Sequence, residues 1–174
     1  ELFLTPAEQS VGKANLRGQW KDLAISGIEV YRKDIAPSVI PVGVEQEFRL
    51  QWGEHILHGF MDVVEDKKTI RDTKTTRKTP AGSIADQSQQ LTLYSIAYKA
   101  INGCLPEKLT LDYIVMNGNG KSKTVVSETT RKQEQVQMFL MRLQRVINGI
   151  QKGVFLPPSE AWACDYCQYS LECR

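Results

Sequence analysis

Asp62, Asp72 and Lys74 are the residues of this 174-residue chain whose types and spacing point most directly to chemistry. They lie in "GFMDVVEDKKTIRDTKTTRKTP", residues 59–80, which reads as two strands joined around Asp66-Lys67-Lys68: about Ile56 to Glu65, then Thr69 to Thr76. Residues two apart on a strand share a face, so Asp72 and Lys74 point the same way. A hairpin closed by a short loop sets Asp62 roughly opposite Asp72. Directly opposed side chains stand ~5 Å apart, and like charges there destabilise the pair. A divalent cation bound by both carboxylates would offset the repulsion, and hard oxygen ligands select Mg²⁺ or Mn²⁺. Lys74 beside it would hold an attacking water or stabilise a phosphorane-like charge. Gly59, three residues before Asp62, would admit a close approach of backbone or ligand. The plainer alternative is a surface hairpin in which these charges, with Lys67, Lys68 and Arg71, form solvated ion pairs. The following helix favours a site. Gln90 and Tyr94 lie four apart and share a face, where they could meet a phosphate or a base. A tyrosine on an apolar stripe is otherwise ordinary core.

The elements that must position these residues follow from pattern. Thr5-Pro6-Ala7-Glu8 reads as a helix start with a capping box, followed by Leu16, Trp20, Leu23, Gly27 and Val30 at helical spacing. The chain opens directly on this start, so an upstream segment is expected to be missing. Pro37 and Pro41 break the helical pattern, and from Val42 to Leu50 the period becomes two. Val42, Val44, Phe48 and Leu50 are assigned to one face, with Glu45, Glu47 and Arg49 on the other. Ser83 with Asp86 reads as a second capping box, opening a helix to about Ile101 with Gln87, Leu91, Tyr94, Tyr98 and Ile101 in its stripe. Leu109 to Met116 and Lys123 to Glu128 read as strands around the turn Asn117-Gly118-Asn119-Gly120. A last helix runs from about Thr130 to Gln151, its stripe of Val136, Phe139, Leu140, Leu143, Ile147 and Ile150 read as core. The order α-β-β-β-α-β-β-α predicts one α/β domain over residues 1–174 with a mixed sheet, and a cysteine tail over 157–174.

Composition bounds the class. Hydrophobic residues make up 41%, charged residues 24%, and the net charge is +2, which excludes a disordered or collagen-like chain. So small a charge does not itself indicate nucleic acid, so any basic surface must be local. No apolar run reaches the length of a membrane span, and the N-terminus is not a signal peptide. A cytoplasmic protein without a membrane partner is expected. Three of the four cysteines crowd into the last eleven residues, a pattern that in a cytosolic protein more often means metal than disulfide.

In order, "GFMDVV", "IRDTKTT" and "QLTLYSIAY" resemble the G-x-x-D strand, the D-x-K-T strand and the Q-x-x-x-Y helix of the RecB-like branch of the PD-(D/E)XK nuclease superfamily. By motif the resemblance covers about Val42 to Tyr98. It implies a restriction-endonuclease-like α/β core, a mixed β-sheet flanked by helices. It implies Asp62 and Asp72 as metal ligands with the main-chain carbonyl of Thr73 as a third, Lys74 as the catalytic lysine, and Gln90 and Tyr94 near the substrate backbone. The implied activity is Mg²⁺- or Mn²⁺-dependent hydrolysis of DNA, as an exonuclease in recombination, repair or phage DNA metabolism. DNA is the implied partner, with a helicase or recombination subunit beside it in a bacterial or phage setting. Lys67, Lys68, Arg71, Arg77 and Lys78 would add a local basic patch for phosphates.

Cys164-x2-Cys167-x5-Cys173 resembles the C-terminal part of the iron–sulfur pattern in AddB-like and CRISPR-associated members, which implies a [4Fe–4S] cluster; thiolates equally suit Zn²⁺. Two departures stand against the pattern. No cysteine precedes Cys104, which reads as a small core or loop residue. The early-helix histidine usual in the branch is absent, because the two histidines are His55 and His58. Period two puts His58 and Asp62 on one face, although a satisfied strand histidine is the plainer reading of His58. A missing upstream segment would explain both departures. The rival is a non-catalytic DNA-binding or complex-assembly module with a degenerate nuclease fold.

Overall fold

The structure is a computed structural model that describes residues 13–66, 68–117, 121–154 and 167–168. The Thr5 capping box lies outside them. The chain divides into two compact units, Glu1–Val136 and Gln137–Arg174. The first holds every strand described below and all the chemistry built on them.

Its frame is a five-stranded sheet in the order β1-β2-β3-β4-β5, from Pro41–Trp52, His55–Glu65, Thr69–Thr76, Lys108–Met116 and Ser122–Thr129. β3 and β4 run parallel, with Ile70 beside Leu109 and Asp72 beside Leu111, and the other pairs are antiparallel. The fold is therefore the mixed-sheet α/β architecture expected from sequence. A parallel pair needs a crossover, here supplied by α2 (Ile84–Gln87) and α3 (Gln89–Asn102). On the α3 side of the sheet Phe48, Met61, Val64, Ile70, Leu91, Tyr94, Leu109 and Leu111 form the buried core.

α1 (Lys13–Asp34) packs against β4 and β5. Gly27 makes the approach possible: a Cβ there would stand 3.2 Å from Ile114 Cγ2 and 3.3 Å from Met116 Sδ. Trp20, placed by spacing on the apolar stripe, is instead half exposed, with the Arg77 guanidinium 4.8 Å over its ring.

The crossover departs from the continuous helix expected after Ser83. Ser83 makes no side-chain cap, and the helix breaks at Ser88. Ser88 is the effective cap, its Oγ accepting from the Leu91 N–H at 3.2 Å, in the role serine commonly plays at an N-terminus. Asp86 turns outward to accept from Thr129 Oγ1 at 2.6 Å. What holds the break is Arg131, which is buried. Its guanidinium donates to the Ala85 and Ser88 carbonyls, to Thr92 and Thr129 Oγ1, and to the Thr130 carbonyl. All five N–H groups are thus used, so the buried cation is solvated by fixed dipoles in place of water. Gln87 and Ile101, at the two ends of the expected stripe, are exposed. Gly103, at φ +78°, ends α3 by donating its N–H to the Lys99 carbonyl, as a left-handed cap does. Cys104 follows in an exposed loop.

α4 spans Gln133–Gln151. Val136 is buried, Phe139, Leu140, Leu143 and Ile147 are half-buried, and Ile150 is exposed. No helix among the described residues is long and apolar enough to cross a membrane.

Candidate active site

β2 and β3 meet through Val63 opposite Arg71 and Val64 opposite Ile70. The same register carried one step further sets Asp62 opposite Asp72, as the sequence predicts. There the ladder opens. The Asp62 carboxylate reaches into the gap, and its Oδ2 accepts the Thr73 N–H at 3.3 Å. Asp72 is fully buried. Lys74, on the same face of β3, lays its Nζ 2.8 Å from Asp72 Oδ2 and 3.1 Å from Oδ1.

α3 covers this face and closes the group. The Tyr94 hydroxyl stands 3.5 Å from Asp62 Oδ1 and 3.5 Å from Asp72 Oδ1, so its single proton can serve either carboxylate. Gln90, one turn earlier, donates from Nε2 to the same hydroxyl at 2.7 Å. The Tyr94 ring is itself braced edge-on by Phe48 of β1, with centroids 6.3 Å apart at 77°. Asp62, Asp72, Thr73, Lys74, Gln90 and Tyr94 are therefore brought together by two strands and one helix.

The electrostatics follow from burial. Desolvation pushes the Asp72 carboxyl above the ordinary aspartate range, opposed by the Lys74 ammonium and reinforced by the Asp62 charge. The Tyr94 phenol is pushed up, first by burial and then by the two carboxylates, with Gln90 opposing. It remains a neutral hydrogen-bond donor at all physiological pH.

Two carboxylates converge here; among the described residues no group of three or more His, Cys, Asp or Glu side chains could hold a metal ion. The residues nonetheless fit a hard cation. Asp72 Oδ2 is buried and accepts no hydrogen bond of proper geometry, although the Lys74 ammonium lies beside it. A buried carboxylate oxygen left this way is costly unless something binds it.

Other expected contributors stand elsewhere. His58 bonds through Nε2 to Glu47 Oε1 at 2.8 Å on the exposed outer face, so it is the satisfied strand histidine and does not approach Asp62. Gly59 makes room for protein and not for ligand, since a Cβ there would stand 2.7 Å from Phe48 Cζ. Because Phe48 is buried and braces Tyr94, Gly59→Ala is expected to cost about 1–3 kcal/mol as an overpacked core, measurable by urea denaturation.

Arg71 does not belong to a phosphate-binding patch. It lies half-buried on the opposite face of β3, bonded to Glu65 and, through Nη1, to both oxygens of the fully buried Asp112 at 3.0 and 3.1 Å. Burial raises the Asp112 carboxyl, and Arg71 opposes that rise. The sequence signal was a single Asp in the apolar run "LTLDYIVM", where an acid on a buried strand calls for a cationic partner. Lys68 pairs with Glu107 at 3.4 Å, and Arg77 is engaged by Trp20. Lys67, Cys164 and Cys173 lie outside the described residues, while Cys167 is an exposed free thiol.

Two solved structures are similar to this chain, the second closely enough to share its fold. The crystal structure named SSO0001 is 17% identical, over 93% of this chain and 70% of that one, with a TM-score of 0.48. A "putative exonuclease" from Eubacterium rectale is 13% identical over 93% of this chain, with a TM-score of 0.57; this chain covers 62% of that protein. No curated protein matches the sequence. The model of the PD-(D/E)XK nuclease superfamily matches residues 2–174. With its mixed sheet and the Asp62/Asp72/Lys74 group on adjoining strands, this chain belongs to the PD-(D/E)XK nuclease superfamily.

Proposed function

We propose that the protein is a metal-dependent deoxyribonuclease of the RecB-like branch, acting as an exonuclease in recombination, repair or phage DNA metabolism. The observation that carries the proposal is the buried Asp72 carboxylate held between Lys74, Tyr94 and the facing Asp62. Asp62 and Asp72, with the Thr73 carbonyl, would hold Mg²⁺ or Mn²⁺. Bound there, the ion supplies Lewis acidity toward a phosphodiester and lowers the pKa of water. The protein groups do the rest. Lys74 orients the attacking water and stabilises the charge that develops on the phosphoryl oxygens. Tyr94, itself held by Gln90, fixes the carboxylates in their facing geometry. Supporting the exonuclease reading is the fold shared with the Eubacterium rectale protein.

Cys164, Cys167 and Cys173 are proposed to bind a structural [4Fe–4S] cluster ahead of Zn²⁺. Their spacing and the exposed Cys167 thiol support it. Anaerobic purification should then give a brown protein containing iron and sulfide. Stoichiometric zinc in a colourless preparation would replace the cluster with a zinc site.

The nuclease reading is tested by incubating the protein with end-labelled linear DNA and with circular DNA, with and without Mn²⁺. Mn²⁺-dependent shortening of the linear substrate alone is expected. Cleavage of the circle would make it an endonuclease. Intact DNA under all conditions, with the DNA retained by the protein, would favour a non-catalytic binding module.

A further inference from the structure

Glu45 lies in the middle of β1 with φ +49°. That is the left-handed region, which a side chain with a Cβ rarely adopts and which costs energy wherever it occurs. After a register shift between Pro41 and Gly43, the β1–β2 ladder keeps one register from Gly43 to Trp52, with Val44 opposite Val63 and Gln46 opposite Met61. Within that run only Glu45, which faces Asp62, forms no bridge.

The burial pattern changes phase at this step on both strands. From Gln46 to Trp52 the even residues face inward, whereas Val44 is exposed. In β2 the odd residues face inward as far as the fully buried Met61. Beyond it Val64 is the core residue, and Asp62 reaches the α3 side. Strict alternation would place Asp62 on the face opposite Met61. Two consecutive residues, Met61 and Asp62, instead both turn inward. Local irregularities in a ladder re-aim side chains in this way and cluster beside active sites.

We infer that Glu45 is a positioning residue: its left-handed backbone shifts the phase of the β1–β2 ladder so that the Asp62 carboxylate turns toward Asp72 and Thr73. The role belongs to the backbone of Glu45 and not to its exposed carboxylate. The link to metal binding rests on the proposed function, whereas the placement of Asp62 does not.

The Thr73 amide reports that placement without metal, because Asp62 Oδ2 accepts its N–H. Hydrogen exchange at Thr73 and Mn²⁺ titration should be measured on four proteins: wild type, Glu45→Gly, Glu45→Gln and Glu45→Val. Glycine takes positive φ freely, so Glu45→Gly should retain wild-type exchange and affinity. Glu45→Gln should do the same. Valine is strongly disfavoured there. Glu45→Val should restore extended backbone, turn Asp62 outward, speed Thr73 exchange by about tenfold through loss of one hydrogen bond, and weaken Mn²⁺ binding. If the valine variant does not fold, Glu45→Ala should show the same direction with a smaller change. Unchanged Thr73 exchange in a folded valine or alanine variant would overturn the inference. So would a glutamine variant as impaired as valine, because the carboxylate would then be the active part. Faster Thr73 exchange with unaltered Mn²⁺ affinity would uphold the positioning role and count against the metal site.

Discussion

Asp72→Asn is expected to lower DNA cleavage by at least about 10²–10³-fold, the equivalent of several kcal/mol of lost electrostatic stabilisation, while the metal-free protein becomes no less stable at neutral pH. The two effects share one cause. Asp72 is buried, faces Asp62, and has its carboxyl raised above the ordinary range by desolvation. A carboxyl whose pKa is raised by folding favours the folded state when protonated. Its stabilising contribution is full below the unfolded pKa and is lost as pH rises through the folded one. Metal-free wild type should therefore gain stability as pH falls toward the aspartate range, and Asp72→Asn should weaken that dependence. Removing the carboxylate strands no buried charge, because the side chain of Lys74 is 40% exposed and can turn to water. Thermal melts from pH 4 to 8 without metal, alongside cleavage assays with Mn²⁺, measure both halves. Normal cleavage by Asp72→Asn would remove this aspartate from the site.

Lys74→Ala should lower cleavage by a similar 10²–10³-fold, about what loss of one transition-state donor costs, with Mn²⁺ affinity kept or increased. In the metal-free protein the Lys74 ammonium is the cation beside Asp72, at 2.8 and 3.1 Å from its two oxygens. It competes with an incoming ion for the same charge, so removing it cannot weaken binding through a lost ligand. The alanine variant should be less stable without metal, since Asp72 is then buried without its cationic partner, and Mn²⁺ should recover that stability. Calorimetry that finds collapsed Mn²⁺ affinity in Lys74→Ala would make the lysine part of the metal-binding group and contradict the division of roles.

Much of the site was legible in the sequence because it depends on local rules. A short turn sets the hairpin register, two-residue periodicity pairs Asp72 with Lys74, and four-residue spacing pairs Gln90 with Tyr94. What stayed hidden depends on contacts between distant residues or on backbone conformation. The phase change at Glu45 moved Val44 to the surface and separated His58 from Asp62, while Val42, also exposed, sits in the register shift between Pro41 and Gly43, and no residue type announces either: glycine would be the ordinary choice at the positive φ of residue 45, and glutamate stands there. Arg131 lies 43 residues from Ser88, so the break in the crossover could not be read from the helical pattern around Ser83. Gly59 was expected to admit backbone or ligand, and only the cross-strand register shows that the approaching group is the Phe48 side chain.

The most direct test is a crystal of the protein soaked in Mn²⁺, with anomalous scattering data collected at the manganese edge. One strong peak within coordination distance of both the Asp62 and Asp72 carboxylates is expected, on the side of the Thr73 carbonyl, with Lys74 drawn off Asp72. A peak elsewhere, or full-strength binding in Asp72→Asn crystals under the same soak, would contradict the assignment of this pair as the metal centre.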